Sequence, residues 1–139
     1  MNFQDNQRCF VCGKHNPDGL HLELELEGVS GVGTTYVIPE RFQGFAGIAH
    51  GGILATILDE CVVNTVWLRG STAVAVRLEV CLRHPVGVGQ RVTFRAEVMC
   101  ESSSRFEGTS HAALDDGTVI VDRRALLAKV GSKAKRLLG

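Results

Sequence analysis

The amino-acid sequence predicts an α+β fold, in which an antiparallel sheet of about six strands curls around one long central helix. Two observations support this prediction. Residues 50–68 are the only long stretch with apolar residues at helical spacing. Most of the remaining chain alternates apolar with polar residues between short turn signals, which is typical of antiparallel strands with one covered face.

The chain before the helix is predicted to form an arm and one hairpin. A strand is expected from Leu20 onward because leucine alternates strictly with polar residues up to Glu27. The predicted elements are, in order, an irregular N-terminal arm with a CxxC turn over 1–19, a strand over 20–27, a turn over 28–33, a strand over 34–38 and a loop over 39–49.

The predicted helix carries a broad apolar stripe and is expected to be buried. Gly70 is its expected stop. The stripe consists of Ile53, Leu54, Ile57, Leu58, Cys61 and Val62, and is widened by Val63, Val66 and Trp67.

The chain after the helix reads as strands that complete a domain over 20–130. Asp115-Asp116-Gly117 is a strong hairpin signal between the last two strands. A basic tail over 131–139 follows. The expected strands cover 73–83, 92–99, 105–114 and 118–130. A single-layer sheet of this kind leaves open edges, and pairing in a dimer would remove them.

Composition excludes several classes of function. Apolar residues make up 45% of the chain and charged residues 22%, as in ordinary globular proteins. Fifteen basic residues balance fifteen acidic ones, which argues against nucleic acid or an anionic membrane as a partner. The polar start lacks a signal region, and no apolar run approaches the roughly 18 residues of a membrane span. Five scattered cysteines favour reduced thiols and a cytoplasmic protein.

The segment 43–60, QGFAGIAHGGILATILDE, carries the strongest functional signal. Glycines at a helix start allow a ligand to approach free backbone N–H groups, where the helix dipole favours negative charge. Asp59 lies in the same helix among apolar residues, which is costly for a carboxylate without a partner or a purpose. A polarising helix end and a carboxylate base on one element suggest hydrolysis.

Two neighbouring carboxylates compete for the role of base. On a helical wheel Asp59 lies among apolar residues such as Val62 and Val66, whereas Glu60 shares a more polar stripe with Asn64. We therefore expect Asp59 to be the functional acid in the drier setting, and Glu60 to be solvated or paired.

On these motifs the chain resembles the hotdog-fold acyl-CoA thioesterases, in the PaaI-like branch or the branch of thioesterase superfamily member 4. The resemblance covers nearly the whole domain. It is carried by CFVCG at 9–13 with Asn16-Pro17, by Gln43-Gly44, by His50-Gly51-Gly52 with Asp59-Glu60, by Arg77-Leu78-Glu79-Val80, and by 125–130.

The resemblance implies a homodimer, or a dimer of such dimers, with active sites at the subunit interface. The Gly51 N–H of one subunit would polarise a thioester carbonyl, and Asp59 of the other would act as general base or nucleophile. His50 and Gln43 would shape the carbonyl and water site. No metal or redox cofactor is implied. Related enzymes often carry Ser or Thr on the strand after the helix, where this chain has Ala75.

The remaining site residues each have a structural alternative. Gly52 would line the substrate site or serve as a packing glycine where subunits meet. The arginines Arg77, Arg83 and Arg105 would hold coenzyme A phosphates or simply be solvated. His50 would act directly or only orient the helix start.

The CxxC of the arm resembles half of a zinc site. Cys9 and Cys12, together with His15 and His21, offer ligand types that zinc accepts, but a single CxxC is a weak signal because structural zinc needs four ligands. The expected alternative is a turn packed on the sheet with buried thiols. No metal site is predicted.

The length of the helix between His50 and Asp59 predicts that the protein forms a dimer. His50 and Asp59 are nine residues apart, or about 13 Å along a helix that rises 1.5 Å per residue. The two groups cannot easily meet on one thioester, so each chain is expected to supply two half-sites.

Three other functions are alternatives to thioester hydrolysis. The first is a noncatalytic acyl-CoA- or fatty-acid-binding protein, and the second is a structural metal-arm protein. The third is a dehydratase acting on acyl thioesters, which this helix disfavours because it has no histidine after His50.

Overall fold

The computed structural model describes residues 3–130 and contains one antiparallel sheet packed against one long helix. The predicted tail over 131–139 lies outside the described residues. The helix α1 spans Gly51–Trp67, and a 3-10 turn, Glu40–Phe42, precedes it. The strands are β1 Glu25–Glu27, β2 Gly31–Val37, β3 Ala73–Leu82, β4 Arg91–Glu101, β5 Arg105–Leu114 and β6 Val119–Lys129.

The sheet has the strand order β1-β2-β4-β5-β6-β3, and all neighbours are antiparallel. The last strand, β6, therefore lies between β5 and β3, and β3 forms one edge. Helix α1 contacts every strand from β2 to β6, so that one face of the sheet covers the helix as predicted.

The helix begins and ends where the sequence signals predict. His50 is the N-cap, and its Nδ1 accepts a hydrogen bond of 2.9 Å from the Gly52 N–H. Gly70 follows the C-terminal end with a φ of 88°, a left-handed conformation that glycine adopts without strain. The apolar stripe is largely buried; its fully buried members are Ile57, Leu58, Cys61 and Val62.

The predicted strand over 20–27 is wrong for most of its length. Only Glu25–Glu27 pair in the sheet, because His21 has a φ of 57° and interrupts the extended backbone. Leu20 and Leu22 are nevertheless buried. Their N–H groups donate to the carbonyl oxygens of Phe10 and Val11, at 3.0 and 2.9 Å. The alternating leucines are thus covered by packing with the arm rather than by a long strand.

Strand β3 departs from simple alternation at a β-bulge. Ala75 pairs with Leu127 and Arg77 with Leu126, which leaves Val76 unpaired. Beyond the bulge the apolar row of this edge strand is incompletely covered, and Leu78 and Leu82 are 49% and 58% exposed.

No helix among residues 3–130 has the length and apolar character needed to cross a bilayer. All five cysteines have free thiols in this structure.

Candidate active site

The start of α1 leaves one backbone N–H without an acceptor. The Gly52 N–H donates to His50 Nδ1, and the Ile53 N–H donates to the His50 carbonyl oxygen at 2.9 Å. Among residues 3–130, nothing accepts a hydrogen bond from the Gly51 N–H. Gly51 therefore offers the free donor that the sequence predicts at this helix start.

Strand β3 passes close to this donor. A Cβ atom on Gly51 would lie 2.7 Å from Leu82 Cδ1, so a larger residue would require the leucine to move. Gly52 is confined in a different way, because its Cβ would lie 3.0 Å from His50 Nδ1. With its N–H already bonded to His50, Gly52 provides space rather than a donor.

The loop before the helix is organised by Gln43. Its Oε1 accepts a hydrogen bond of 2.9 Å from the Gly47 N–H, and its backbone forms a bridge with Ala49. The His50 N–H donates to the Phe42 carbonyl oxygen at 2.9 Å, which closes the loop onto the helix start. Because the side-chain oxygen of Gln43 is occupied, its NH₂ group is the part left for a ligand.

Asp59 has a partner that the sequence analysis did not identify. The Arg123 guanidinium on β6 donates through Nη2 to Asp59 Oδ1 at 2.7 Å. The Arg123 side chain is 0% exposed, whereas 39% of the Asp59 side chain is exposed, so the dry setting expected for Asp59 is wrong for the single chain. Asp59 Oδ2 has no hydrogen-bond partner among residues 3–130, and the side chain is accessible to solvent in part.

The surroundings of Arg123 are unusual for a buried cation. Its Nε and Nη1, like the Oγ of the cross-strand neighbour Ser110, are buried without a partner in the described part of the chain. A sequence signal for Arg123 does exist. It shares the buried face of β6 with Val121, Ala125 and Leu127, where a charged residue breaks an apolar alternation.

Glu60 is paired, as expected, and belongs to different surroundings from Asp59. Its Oε1 accepts a hydrogen bond of 3.1 Å from Asn64 Nδ2 and lies 3.7 Å from Cys9 Sγ. The two adjacent carboxylates therefore serve two separate contacts, one with the sheet and one with the N-terminal arm.

The structure does not bring Arg77 and Arg83 together with Asp59. Arg83 forms an exposed ion pair with Asp122, which alternates with buried residues of β6 and so points away from α1. Arg77 lines a shallow cavity of about 400 Å³ on the same outer face, beside Glu107. Within one chain, both arginines lie on the sheet face opposite the helix.

Comparison with known families places these features in context. Residues 46–120 match the family model described as the thioesterase superfamily, a segment that includes all of α1 and the strands β3, β4 and β5. No curated protein sequence matches the chain.

Similar solved structures share the fold. A thioesterase superfamily protein superposes with a TM-score of 0.82 at 21% identity over 88% of this chain, which spans 60% of that protein. The Escherichia coli PaaI protein from the phenylacetic acid degradation operon gives 0.75 at 16% identity over 81% of both chains. A hypothetical thioesterase protein of Streptococcus pneumoniae TIGR4, solved with coenzyme A, gives 0.74 at 17% identity over 79% of this chain and 89% of that one. The predicted hotdog fold is thereby confirmed.

Proposed function

The chain belongs to the thioesterase superfamily, and on that premise we propose that it hydrolyses acyl-CoA to the free acid and coenzyme A. The observation that carries the proposal is the free Gly51 N–H at the start of the same helix that presents the open carboxylate oxygen of Asp59. The coenzyme A bound to the Streptococcus pneumoniae relative supports a thioester of this type.

In the proposed reaction, the Gly51 N–H donates to the thioester carbonyl oxygen and stabilises the negative charge that develops there. Asp59 Oδ2 accepts a proton from a water molecule, whose oxygen attacks the carbonyl carbon. Alternatively, Oδ2 attacks the carbonyl carbon directly as nucleophile, and water then hydrolyses the resulting acyl–Asp59 anhydride to release the free acid and restore the carboxylate. The carbon–sulfur bond then breaks, and the thiolate of coenzyme A leaves and is protonated. A donor of this kind is typically worth about 10²–10³ in rate.

His50 and Gln43 support the same site in this proposal. His50 caps α1 and so orients the Gly51 N–H. The free NH₂ group of Gln43 is available to the carbonyl oxygen or to the attacking water. A positioned carboxylate suffices to activate water against a thioester, so the proposed reaction needs no metal or redox cofactor.

The proposed enzyme is a homodimer, alone or as a dimer of dimers, because Gly51 and Asp59 of one chain are too far apart along α1 to share a thioester. Edge strand β3 supports this assembly. Its exposed apolar residues Val76, Leu78 and Leu82 and its unpaired backbone suit pairing with the same strand of a second copy. Each interface would then contain two sites, each with Gly51 from one chain and Asp59 from the other.

The outer face of β3 is the proposed place for the coenzyme A phosphates. Arg77 lies on this face of β3, and Arg83 follows the strand on the same side, so a phosphate that reaches Arg83 would replace Asp122 as its partner. Gly52 would leave room for the acyl thioester beside the helix start. The free thiols suit a reducing compartment, and a cytoplasmic location is part of the proposal.

The proposal is tested by thiol release from short-chain, long-chain and aromatic acyl-CoAs. Asp59→Asn should lower kcat at least about 10²-fold, because the amide cannot accept the proton from water. Asp115→Asn is the matched control, since Asp115 also pairs with an arginine, Arg91, but in an exposed hairpin. Near-normal turnover by Asp59→Asn would remove the proposed base. Binding of acyl-CoA by the unmodified protein without any turnover would favour a noncatalytic acyl-CoA- or fatty-acid-binding protein.

A further inference from the structure

The cysteine turn, residues 9–13, holds two thiols in a tight and specific conformation. The Gly13 N–H donates to the Cys9 carbonyl oxygen at 2.9 Å, and the Val11 N–H donates to Cys9 Sγ at 3.4 Å. Gly13 permits no side chain, because a Cβ would lie 2.4 Å from the Cys9 backbone nitrogen and 2.6 Å from its carbonyl oxygen. An N–H directed at a sulfur atom stabilises the thiolate form that binds metals.

Helix α1 supplies a third acidic group to this turn. The Sγ atoms of Cys9 and Cys12 and a carboxylate oxygen of Glu60 all lie within 4.8 Å of one another. Asn64 Nδ2 donates to Glu60 Oε1 at 3.1 Å and also to the Glu60 carbonyl oxygen at 2.9 Å. Asn64 therefore orients the Glu60 carboxylate, and it would keep that hydrogen bond while Glu60 binds a metal.

The two thiols and the carboxylate form a cluster that favours a bound cation. All three residues are partly buried, and their ligand atoms lie close together, so a cation would offset the repulsion between their charged forms. A divalent cation would displace the two thiol protons, which pass to solvent, and would offset two of the three negative charges of its ligands.

We propose that Cys9, Cys12 and Glu60 bind a zinc ion whose fourth position is open to water. A cavity of about 570 Å³ opens on the cluster between the arm and α1, lined also by Phe3, Arg8 and Trp67, and leaves space for that water. Two thiolates and one carboxylate suit zinc better than magnesium or calcium, which prefer oxygen ligands. Neither His15 nor His21 belongs to the cluster.

The proposed ion would fasten the N-terminal arm to the helix one residue beyond Asp59. Its role is distinct from the proposed hydrolysis, in which no step passes through the metal. Metal binding can therefore be present or absent independently of acyl-CoA turnover.

The test is a titration of the reduced, metal-free protein with Zn²⁺ against a competing chelator, with Co²⁺ as a spectroscopic probe. One metal ion per chain is expected, with thiolate-to-cobalt charge-transfer absorption. Cys12→Ser should lose most of this absorption. Glu60→Gln should retain it but weaken Zn²⁺ binding at least about tenfold, because the amide is a poor ligand. The apparent affinity should fall as the pH is lowered, because protons compete for the thiols.

Cys100→Ser is the matched control, since Cys100 is an exposed thiol outside the cluster. Circular dichroism of each variant establishes that it is folded, and the comparison of Glu60→Gln with the unmodified chain stands even if Cys12→Ser does not fold. Binding of less than one zinc ion per chain by the reduced protein would overturn the proposal. So would a Cys100→Ser variant that loses as much affinity as Cys12→Ser.

Discussion

Arg123 Nη2 donates a 2.7 Å hydrogen bond to Asp59 Oδ1 across the space between β6 and α1. The arginine side chain is wholly buried while the carboxylate is partly exposed, so the charge pair lies at the boundary between core and surface. Arg123 binds Oδ1 of Asp59, whereas Oδ2 has no hydrogen-bond partner among residues 3–130. In the proposed reaction, Arg123 is thus a positioning residue for Asp59.

Replacing Arg123 by methionine should separate activity from stability. The change removes the contact that orients Asp59, and kcat for acyl-CoA should fall at least about tenfold with little change in KM. The free energy of unfolding should stay within about 1 kcal/mol or rise, because two buried nitrogen atoms without partners are removed together with the charge. Thiol-release kinetics and urea unfolding provide the two measurements. A loss of more than about 3 kcal/mol would instead assign Arg123 a mainly structural role.

Two substitutions at His50 distinguish capping from chemistry. His50→Ala removes the acceptor for the Gly52 N–H and should cost about 1 kcal/mol of stability. His50→Asn restores a good cap, and we expect it to recover stability and most of the turnover. Thermal unfolding and kcat are compared for both variants. Recovered stability without recovered turnover would mean that the imidazole acts on the substrate directly.

A charge on edge strand β3 should dissociate the proposed dimer. Leu78→Lys places an ammonium group on an apolar residue that is 49% exposed, and a charged edge opposes pairing with a second strand. Sedimentation velocity should then report a monomer, and turnover should fall because each site needs two chains. Val29→Lys is the control, since Val29 is 93% exposed in the turn between β1 and β2. An unmodified chain that is monomeric yet fully active would contradict the two-half-site arrangement.

The stability of the protein should fall in alkaline solution through Cys61. Burial is the main cause that raises the pKa of this thiol from 9.0 to about 12. Its contribution to folding is therefore complete below about pH 9 and is lost as the pH rises toward 12, since only the unfolded chain ionises readily there.

The corresponding measurement is the slope of unfolding free energy against pH above 9. Cys61→Ala should make that slope shallower by up to about 1.4 kcal/mol per pH unit, whereas the exposed Cys100→Ala should leave it unchanged. Equal slopes for Cys61→Ala and the unmodified chain would show that the buried thiol is not the titrating group.

Much of the fold could be predicted because its signals are local. The spacing of apolar residues predicts α1, and His50 and Gly70 predict where it begins and ends. Alternation between two turn signals predicts β5 with the bounds that the structure shows. These features depend on neighbours within a few residues, which periodicity captures directly.

The wrong strand at Leu20 has a different cause. Alternation reports which residues are buried but not what covers them, and here the covering element is the arm, aligned by Phe10 and Val11. The left-handed conformation of His21 leaves no trace in hydrophobic periodicity.

Only part of the candidate site could be predicted from the sequence, for a related reason. Gly51 and Asp59 belong to one helix, so the distance between them follows from their separation in the sequence. The partner of Asp59 is 64 residues away on β6, and the Cys9 that approaches Glu60 is 51 residues away in the arm. Such pairs are decided by how elements dock, which depends on the strand order of the whole sheet.

That strand order also has a consequence for synthesis of the protein. Because β6 lies between β5 and β3, the edge strand β3 has no partner until the chain has been made through Lys129. The Asp59 carboxylate likewise has no ion-pair partner until Arg123 has been synthesised, which is 64 residues later in the chain. The carboxylate of Asp59 is therefore oriented only after β6 has been synthesised and has paired with β5 and β3.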